Sequence, residues 1–360
     1  MATYGIDFGN SNSYVAVLKD NGYAEVISNL CEGSRLFPSC VLLEADGTVT
    51  TGKEAAECSM MLPEAQYLCR MKRELAASEE RIYSFDGGAS WTATELTAKL
   101  FETMKEAVED AGGSFPLKVG LAIPPTSDTN MKMRLLTAAR QSGFEVVSLV
   151  SDPLAAVYAD IYTEEPREET VLVFDLGEAS LELAVVDVKI GRDKFGIPTP
   201  AARIVTVGGD EWLGAADWDE QLYAYILEYI EEEYGICSED AAHLSGAQIR
   251  SKAEYLKKSL SSADFKQVRI QLGDMPIRVR ITKTEFEQMT QHLVDRAVAY
   301  VDVLLDGLGE GKIDRVFMLG GGSRIPAVRN ALEQRFPGKV QLKDLWLKAK
   351  GAAMVAAFAD

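Results

Sequence analysis

Two aspartates carry the clearest chemical signal in this sequence. Asp7 closes an apolar run in Tyr4-Gly5-Ile6-Asp7-Phe8-Gly9-Asn10-Ser11-Asn12-Ser13, and Asp175 closes another in Val171-Leu172-Val173-Phe174-Asp175-Leu176-Gly177-Glu178-Ala179-Ser180. In each, an apolar strand runs into Asp-x-Gly, then small polar residues, then a second apolar strand. Such a turn brings backbone N–H groups towards an anion, while its carboxylate reaches a metal through water. Glycine permits the close approach. Alone, either turn reads most simply as a plain hairpin. Together, and with the glycine run Gly320-Gly321-Gly322, they point to a nucleotide's phosphates held between two lobes. Glu178 is the discordant residue. At ~4 Å and an effective dielectric near 20, its charge beside a phosphate costs about 4 kcal/mol, roughly a thousandfold in affinity. Only turning to solvent or binding the metal would relieve that cost.

A second constellation lies in Glu254-Tyr255-Leu256-Lys257-Lys258-Ser259-Leu260-Ser261, where Glu254, Lys257, Lys258 and Ser261 share one helical face. A carboxylate there can clamp a ribose hydroxyl, lysines can reach ribose or phosphate, and a serine can meet an adenine edge. On spacing alone, a solvated Glu/Lys face is the simpler reading.

The elements that must position these groups alternate strand and helix through both halves. Strands are expected at Thr3–Ile6, Tyr14–Lys19, Ala24–Ser28 and Val41–Glu44. A helix over Ala93–Ala111 has a Thr92/Glu95 capping box and ends at Gly112-Gly113. Lys118–Ile123 reads as a buried strand, Asn130–Gln141 as a helix and Glu145–Val150 as a strand. Asp152-Pro153 opens a helix to about Tyr162, and the acidic loop Thr163–Glu169 marks a boundary. The second half repeats strand–turn–strand, adds a strand at Ala202–Val207, and becomes helical over 217–262. Strands at Gln267–Leu272 and Ile277–Ile281, a helix Lys283–Leu308 and a strand Arg315–Leu319 follow. Helices Arg324–Phe336 and Lys348–Phe358 end the chain. This recurrence predicts a duplicated α/β unit.

Bulk properties narrow the classes. The chain has 360 residues, enough for two lobes with their own cores, and a net charge of −18 argues against nucleic acid or anionic membrane as general partners. The N-terminus shows no signal-peptide pattern and no run is long enough to span a membrane, so the cytoplasm is the expected compartment. Cys31, Cys40, Cys58, Cys69 and Cys237 have no zinc spacing and read as reduced structural thiols; His243 and His292 read as structural.

Here a family resemblance becomes plain. The sequence resembles the nucleotide-binding domain of the heat-shock protein 70 chaperones, within the actin-like ATPase superfamily. Gly5 to Val17 is similar to that family's first phosphate signature, and Phe174-Asp175-Leu176-Gly177 to the start of its second. Gly208-Gly209-Asp210-Glu211-Trp212-Leu213-Gly214 with Asp217-Trp218-Asp219 resembles its G-D-x-x-L-G-G-x-D-F-D stretch. Leu319-Gly320-Gly321-Gly322-Ser323-Arg324-Ile325-Pro326 resembles its adenosine signature. The resemblance implies a duplicated actin-like (ribonuclease H-like) α/β fold, each lobe having a core and a smaller peripheral subdomain. Lobe I would be 1–165 (core 1–36 and 117–165, peripheral 37–116), with a C-terminal helix in 340–360 returning to it. Lobe II would be 166–339 (core 166–209 and 289–339, peripheral 210–288).

The resemblance also assigns roles. Lys72 aligns with the catalytic lysine. Asp152 stands where the family has glutamate, and capping the next helix is an equal alternative for it. Asp7 and Asp175 match the carboxylates around a water-bound magnesium. Gly9, Asn10, Ser11, Asn12, Gly177, Ser180, Gly208, Gly209, Asp210, Gly320, Gly321, Gly322 and Arg324 would line the nucleotide. Glu254, Lys257, Lys258 and Ser261 fall on the family's E-x-x-K-R-x-x-S, with Lys258 replacing an arginine that stacks better on adenine. The implied ligands are ATP or ADP, magnesium and potassium; the implied partners are cochaperones. No peptide-binding domain is seen in this sequence. The expected activity is slow or impaired ATP hydrolysis coupled to lobe closure. A non-hydrolysing nucleotide sensor and a small-molecule kinase of the same superfamily are the alternatives.

Overall fold

A computed structural model describes residues 2–29, 33–59, 65–85, 88–113, 115–161, 167–192, 198–306, 308 and 313–358. Contacts divide the chain into two compact units: Met1–Thr170, Val185–Val207 and Asp344–Asp360 form one, and Val171–Ala184 with Gly208–Lys343 the other. Cys31, Tyr162 and the first part of the expected boundary loop lie outside the described residues; Arg167–Glu169 begins a strand rather than ending that loop.

The first unit is built on a mixed sheet in the order Glu145–Ser151, Lys118–Ile123, Thr3–Asp7, Asn12–Leu18 and Ala24–Val26, with Phe37–Pro38 also pairing Asn12–Leu18. Thr3–Asp7 runs parallel to Lys118–Ile123 and antiparallel to Asn12–Leu18. Because both faces are covered, Thr3–Asp7 is buried throughout, which explains its unbroken apolar reading. Helix Ala93–Asp110 covers one face with Leu96, Leu100, Phe101 and Met104. It starts on the expected capping box: Thr92 Oγ1 accepts from Glu95 N, and Glu95 Oε2 accepts from Thr92 N.

Helix Leu347–Phe358 packs against the same sheet at unusually close range. Gly5 and Gly120 are register partners, and a Cβ on Gly5 would stand 2.1 Å from Ala349 O, one on Gly120 2.3 Å from Ala352 O. A Cβ on Gly351 would stand 1.7 Å from Ala155 O in helix Asp152–Ile161. Only glycine fits at these three positions, and small residues fill the rest of the contact: Ala349, Ala352, Ala353 and Ala356 are all buried. That is the physical meaning of the small-residue helix.

A second sheet has the order Pro198–Asp210, Leu181–Arg192, Arg167–Leu176, Arg315–Leu319 and Val340–Leu342. Val171–Asp175 pairs in parallel with Arg315–Leu319. Helices Ala215–Tyr234 and Ser238–Leu260 pack together, and the latter lies on the hairpin Phe265–Leu272/Met275–Thr282. The hairpin alternates, with Val268, Ile270, Leu272, Ile277, Val279 and Ile281 buried, the pattern of a half-covered sheet.

Some boundaries differ from expectation. Helix Lys283–Leu305 stops before Leu308. The expected helix Arg324–Phe336 is a short 3-10 turn, Gly322–Arg324, followed by helix Pro326–Arg335, because Pro326 lacks an N–H to continue the earlier turn. Strands Val49–Thr51 and Gln66–Leu68 and helices Gly52–Cys58 and Met71–Leu75 were unexpected. Among the described residues Cys40, Cys58, Cys69 and Cys237 form no disulfide, and Cys40 Sγ donates to Gly52 O. Among the described residues no helix is long and apolar enough to cross a membrane.

Candidate functional site

At the carboxyl end of Thr3–Asp7 four charged side chains meet within the first unit. Asp7 ends the strand, Lys72 comes from the short helix Met71–Leu75, Asp152 opens Asp152–Ile161, and Lys348 lies in the first turn of Leu347–Phe358. Lys72 Nζ and Lys348 Nζ each stand 3.5 Å from Asp152 Oδ2, and Lys348 Nζ stands 3.5 Å from Asp7 Oδ2. Asp7, Lys72 and Asp152 are buried. Burial pushes the Asp152 carboxyl up, but the charges of Lys348 and Lys72 together outweigh it and hold the pKa below its ordinary value. Asp152 Oδ1 makes no hydrogen bond, so its carboxylate serves the lysines and not the helix N–H groups. The capping alternative therefore has no hydrogen bond behind it.

Asn10 explains how Lys72 is held. Its Oδ1 accepts from Arg73 N at 3.1 Å, and its carbonyl accepts from Arg70 N at 3.2 Å. Arg70, between strand and helix, has φ 65°, in the left-handed region that a non-glycine residue enters at a cost. The turn thus clips the lysine's segment at two points. Gly9 N donates to Ser13 Oγ, which contacts Ser39 Oγ at 2.7 Å. Ser11 is exposed, and Asn12 Nδ2 donates to Ser11 Oγ. A Cβ at Gly9 would sit 2.2 Å from Asn12 O.

The second turn is built differently. Gly177 N donates to Ser180 O, closing a tight loop, while the carbonyls of Gly177 and Glu178 accept from Ala215 N and Ala216 N, both at 2.9 Å. The start of helix Ala215–Tyr234 therefore spends two N–H groups on this turn. Gly214 is required there, since a Cβ would meet Glu178 O at 2.2 Å. The Glu178 side chain is half-buried, with Oε2 out of contact with solvent. Asp175 is buried, and the glycine run packs on it: Gly320 has φ 79°, and a Cβ there would stand 2.5 Å from Asp175 Oδ1. Gly321 faces open space. Arg324 donates to Lys343 O at 3.4 Å. A Cβ on Gly209 (φ 131°) would stand 2.1 Å from Leu181 O, and one on Gly208 3.0 Å from the Leu304 side chain. Asp210 pairs with Arg296 at 2.5 Å.

On helix Ser238–Leu260, Glu254 and Lys258 are exposed and pair with each other. Lys257 is buried; its ammonium is held by Ala215 O at 2.9 Å and by Asp219. These bonds take two of the ammonium's three donors. Ser261 Oγ donates back to Lys257 O. Asp219 is raised to about 6, burial outweighing the attraction of Lys257.

Sequence reasoning placed no role on Lys348, on the Asn10 clip or on Gly214. Lys348 was hidden because no charged or glycine-turn motif surrounds it in Leu347-Lys348-Ala349 and its partners, Asp7 and Asp152, are distant in sequence. A metal fits this site only indirectly. Among the described residues no group of three or more His, Cys, Asp or Glu side chains could hold an ion. Buried carboxylates such as Asp7 and Asp175 suit an ion carried by phosphate oxygens and water.

The duplicated α/β fold, with an Asp-x-Gly turn in each half, is that of an actin-like ATPase. The Hsp70 protein family matches residues 3–82 and 73–359, and the chain belongs to it. Over 374 aligned residues it is 26% identical to a relative named Chaperone protein DnaK from Stenotrophomonas maltophilia (strain R551-3), covering 95% of this chain and 56% of that protein. The chain therefore spans little more than half the length of the relative it matches.

Proposed function

We propose that the chain binds ATP or ADP with magnesium and hydrolyses ATP slowly, as a chaperone-type nucleotide domain. The observation that carries this reading is the buried Lys72–Asp152 pair beside Asp7, at the end of the phosphate turn. Phosphoryl transfer to water asks the protein for positioning and charge more than for covalent chemistry. Lys72 supplies an ammonium for the terminal phosphate. Asp152, kept ionised by its lysines, accepts a hydrogen bond from the attacking water; its lowered basicity suits orienting that water better than deprotonating it. Asp7 and Asp175 are each candidates to hold a magnesium ion's water shell, and a bound ion would supply neutralisation of phosphate charge. Glu254, Lys258 and Ser261 would meet ribose and adenine, and Gly321 and Arg324 the other side of the nucleoside. Other proteins, cochaperones among them, would read the nucleotide state.

Glu178 favours a second reading, a sensor that binds without turnover. Its half-buried carboxylate sits in the loop that the family uses for phosphates. Single-turnover phosphate release separates the two. Slow release abolished in Lys72→Ala supports the ATPase. No release in the natural chain, with release gained in Glu178→Gly, establishes the sensor. Release unchanged in Lys72→Ala sinks the assigned catalytic role.

A further inference from the structure

Phosphate binding as proposed above uses one lysine at this end of the sheet, yet two are present. Lys348 Nζ stands 3.5 Å from Asp7 Oδ2 and 3.5 Å from Asp152 Oδ2, with its side chain 13% exposed. The helix that carries it cannot slide, because Gly5, Gly120 and Gly351 bring it to backbone contact with its neighbours. Together with Lys72, the group holds two positive and two negative charges.

We propose that Lys348 is the chain's own cation at Asp7, neutralising the carboxylate that a divalent metal's water shell would otherwise engage and making nucleotide binding largely independent of that metal. The proposal rests on the nucleotide-binding reading. A divalent ion approaching Asp7 meets a carboxylate already paired and an ammonium of its own sign, so its affinity there falls. A metal-free triphosphate, in contrast, meets two ammoniums, Lys72 and Lys348. A purely structural ion pair would secure the helix and leave the metal dependence of binding untouched.

The test is ATP affinity measured by calorimetry in EDTA and in excess magnesium, for the natural chain, Lys348→Met and Lys348→Arg, with melting curves on each sample. In the natural chain, removing magnesium weakens ATP by about tenfold or less. In Lys348→Met the same step costs about a hundredfold or more, since Asp7 is freed for the metal's waters and one cation is lost; Lys348→Arg keeps the shallow dependence. Equal magnesium ratios in the natural chain and Lys348→Met overturn the proposal. Where Lys348→Met does not fold, a hundredfold ratio in the natural chain overturns it alone. Absence of any Mg-ATP binding removes the nucleotide reading and this proposal together, whereas binding with a steep magnesium ratio removes only this proposal.

Discussion

Lys348 and Asp152 meet at 3.5 Å although 196 residues separate them in the chain. The contact joins the first turns of two helices, Asp152–Ile161 and Leu347–Phe358. Those helices touch where Gly351 lies against the Ala155 carbonyl. Alanine at 351 would place its methyl 1.7 Å from that oxygen, so the helices must part and the Lys348–Asp152 contact must lengthen. Gly351→Ala should cost about 3 kcal/mol or more in urea unfolding. A loss below ~1 kcal/mol would show that the interface is looser than described.

Gly321 offers the opposite case. It has φ −67° and nothing within reach of an added Cβ. Gly321→Ala should therefore leave stability within about 0.5 kcal/mol while weakening ATP by about tenfold, because the methyl intrudes only where a ligand would lie. Unchanged ATP affinity would remove the glycine run from the binding site.

The two lysines on Asp152 should be energetically coupled. Lys72→Met leaves Lys348 to pair Asp152, and Lys348→Met leaves Lys72. Removing both strands a buried carboxylate, at a cost of about 3–5 kcal/mol, so the double variant should exceed the sum of the singles by at least ~1 kcal/mol. Since the Asp152 pKa is lowered in the fold, its contribution is present above the unfolded carboxyl value and is lost as pH falls through the folded one. Acid titration of stability should accordingly be shallower in the double variant. Strict additivity would contradict a shared charge cluster.

Asn10→Ala removes the side-chain clip on Arg73 N. About 1 kcal/mol of stability should go with it, and phosphate release should slow more than ATP affinity falls, because the segment carrying Lys72 loosens. Equal losses in both would place Asn10 on the nucleotide and not on the lysine's segment.

Asp219 gives a pH signature in the second unit. Its carboxyl rises to about 6 in the fold, against an ordinary value of about 3.9. The folded state therefore binds more protons over that window, and stability should decline by up to about 3 kcal/mol as pH rises from about 4 to about 6, then level off. Asp219→Asn should abolish that slope even though leaving Lys257 unpaired lowers stability overall. A carboxyl resonance titrating near 4 would refute the burial argument.

Much of this fold is legible from local pattern. The Thr92/Glu95 capping box, the strand Lys118–Ile123 and the strand Arg315–Leu319 follow from signals within a few residues. The segments missed, such as Val49–Thr51 and Met71–Leu75, are short and take their order from partners elsewhere. At the site, Asp7 and Asp175 are visible because a turn is a local feature. Lys72 gains meaning only from a family likeness, and Lys348 from neither, since its partners are set by the packing of glycine on helix. Lys257 shows the opposite limit: its spacing suits a ribose, but burial supplied it with Ala215 and Asp219 as partners.

The central claim is that this chain holds a magnesium nucleotide, and calorimetric titration of the folded protein with Mg-ATP tests it most directly. Saturable binding at one site per chain, with micromolar or tighter affinity, is the expected result. Absence of saturable binding at millimolar Mg-ATP would contradict it.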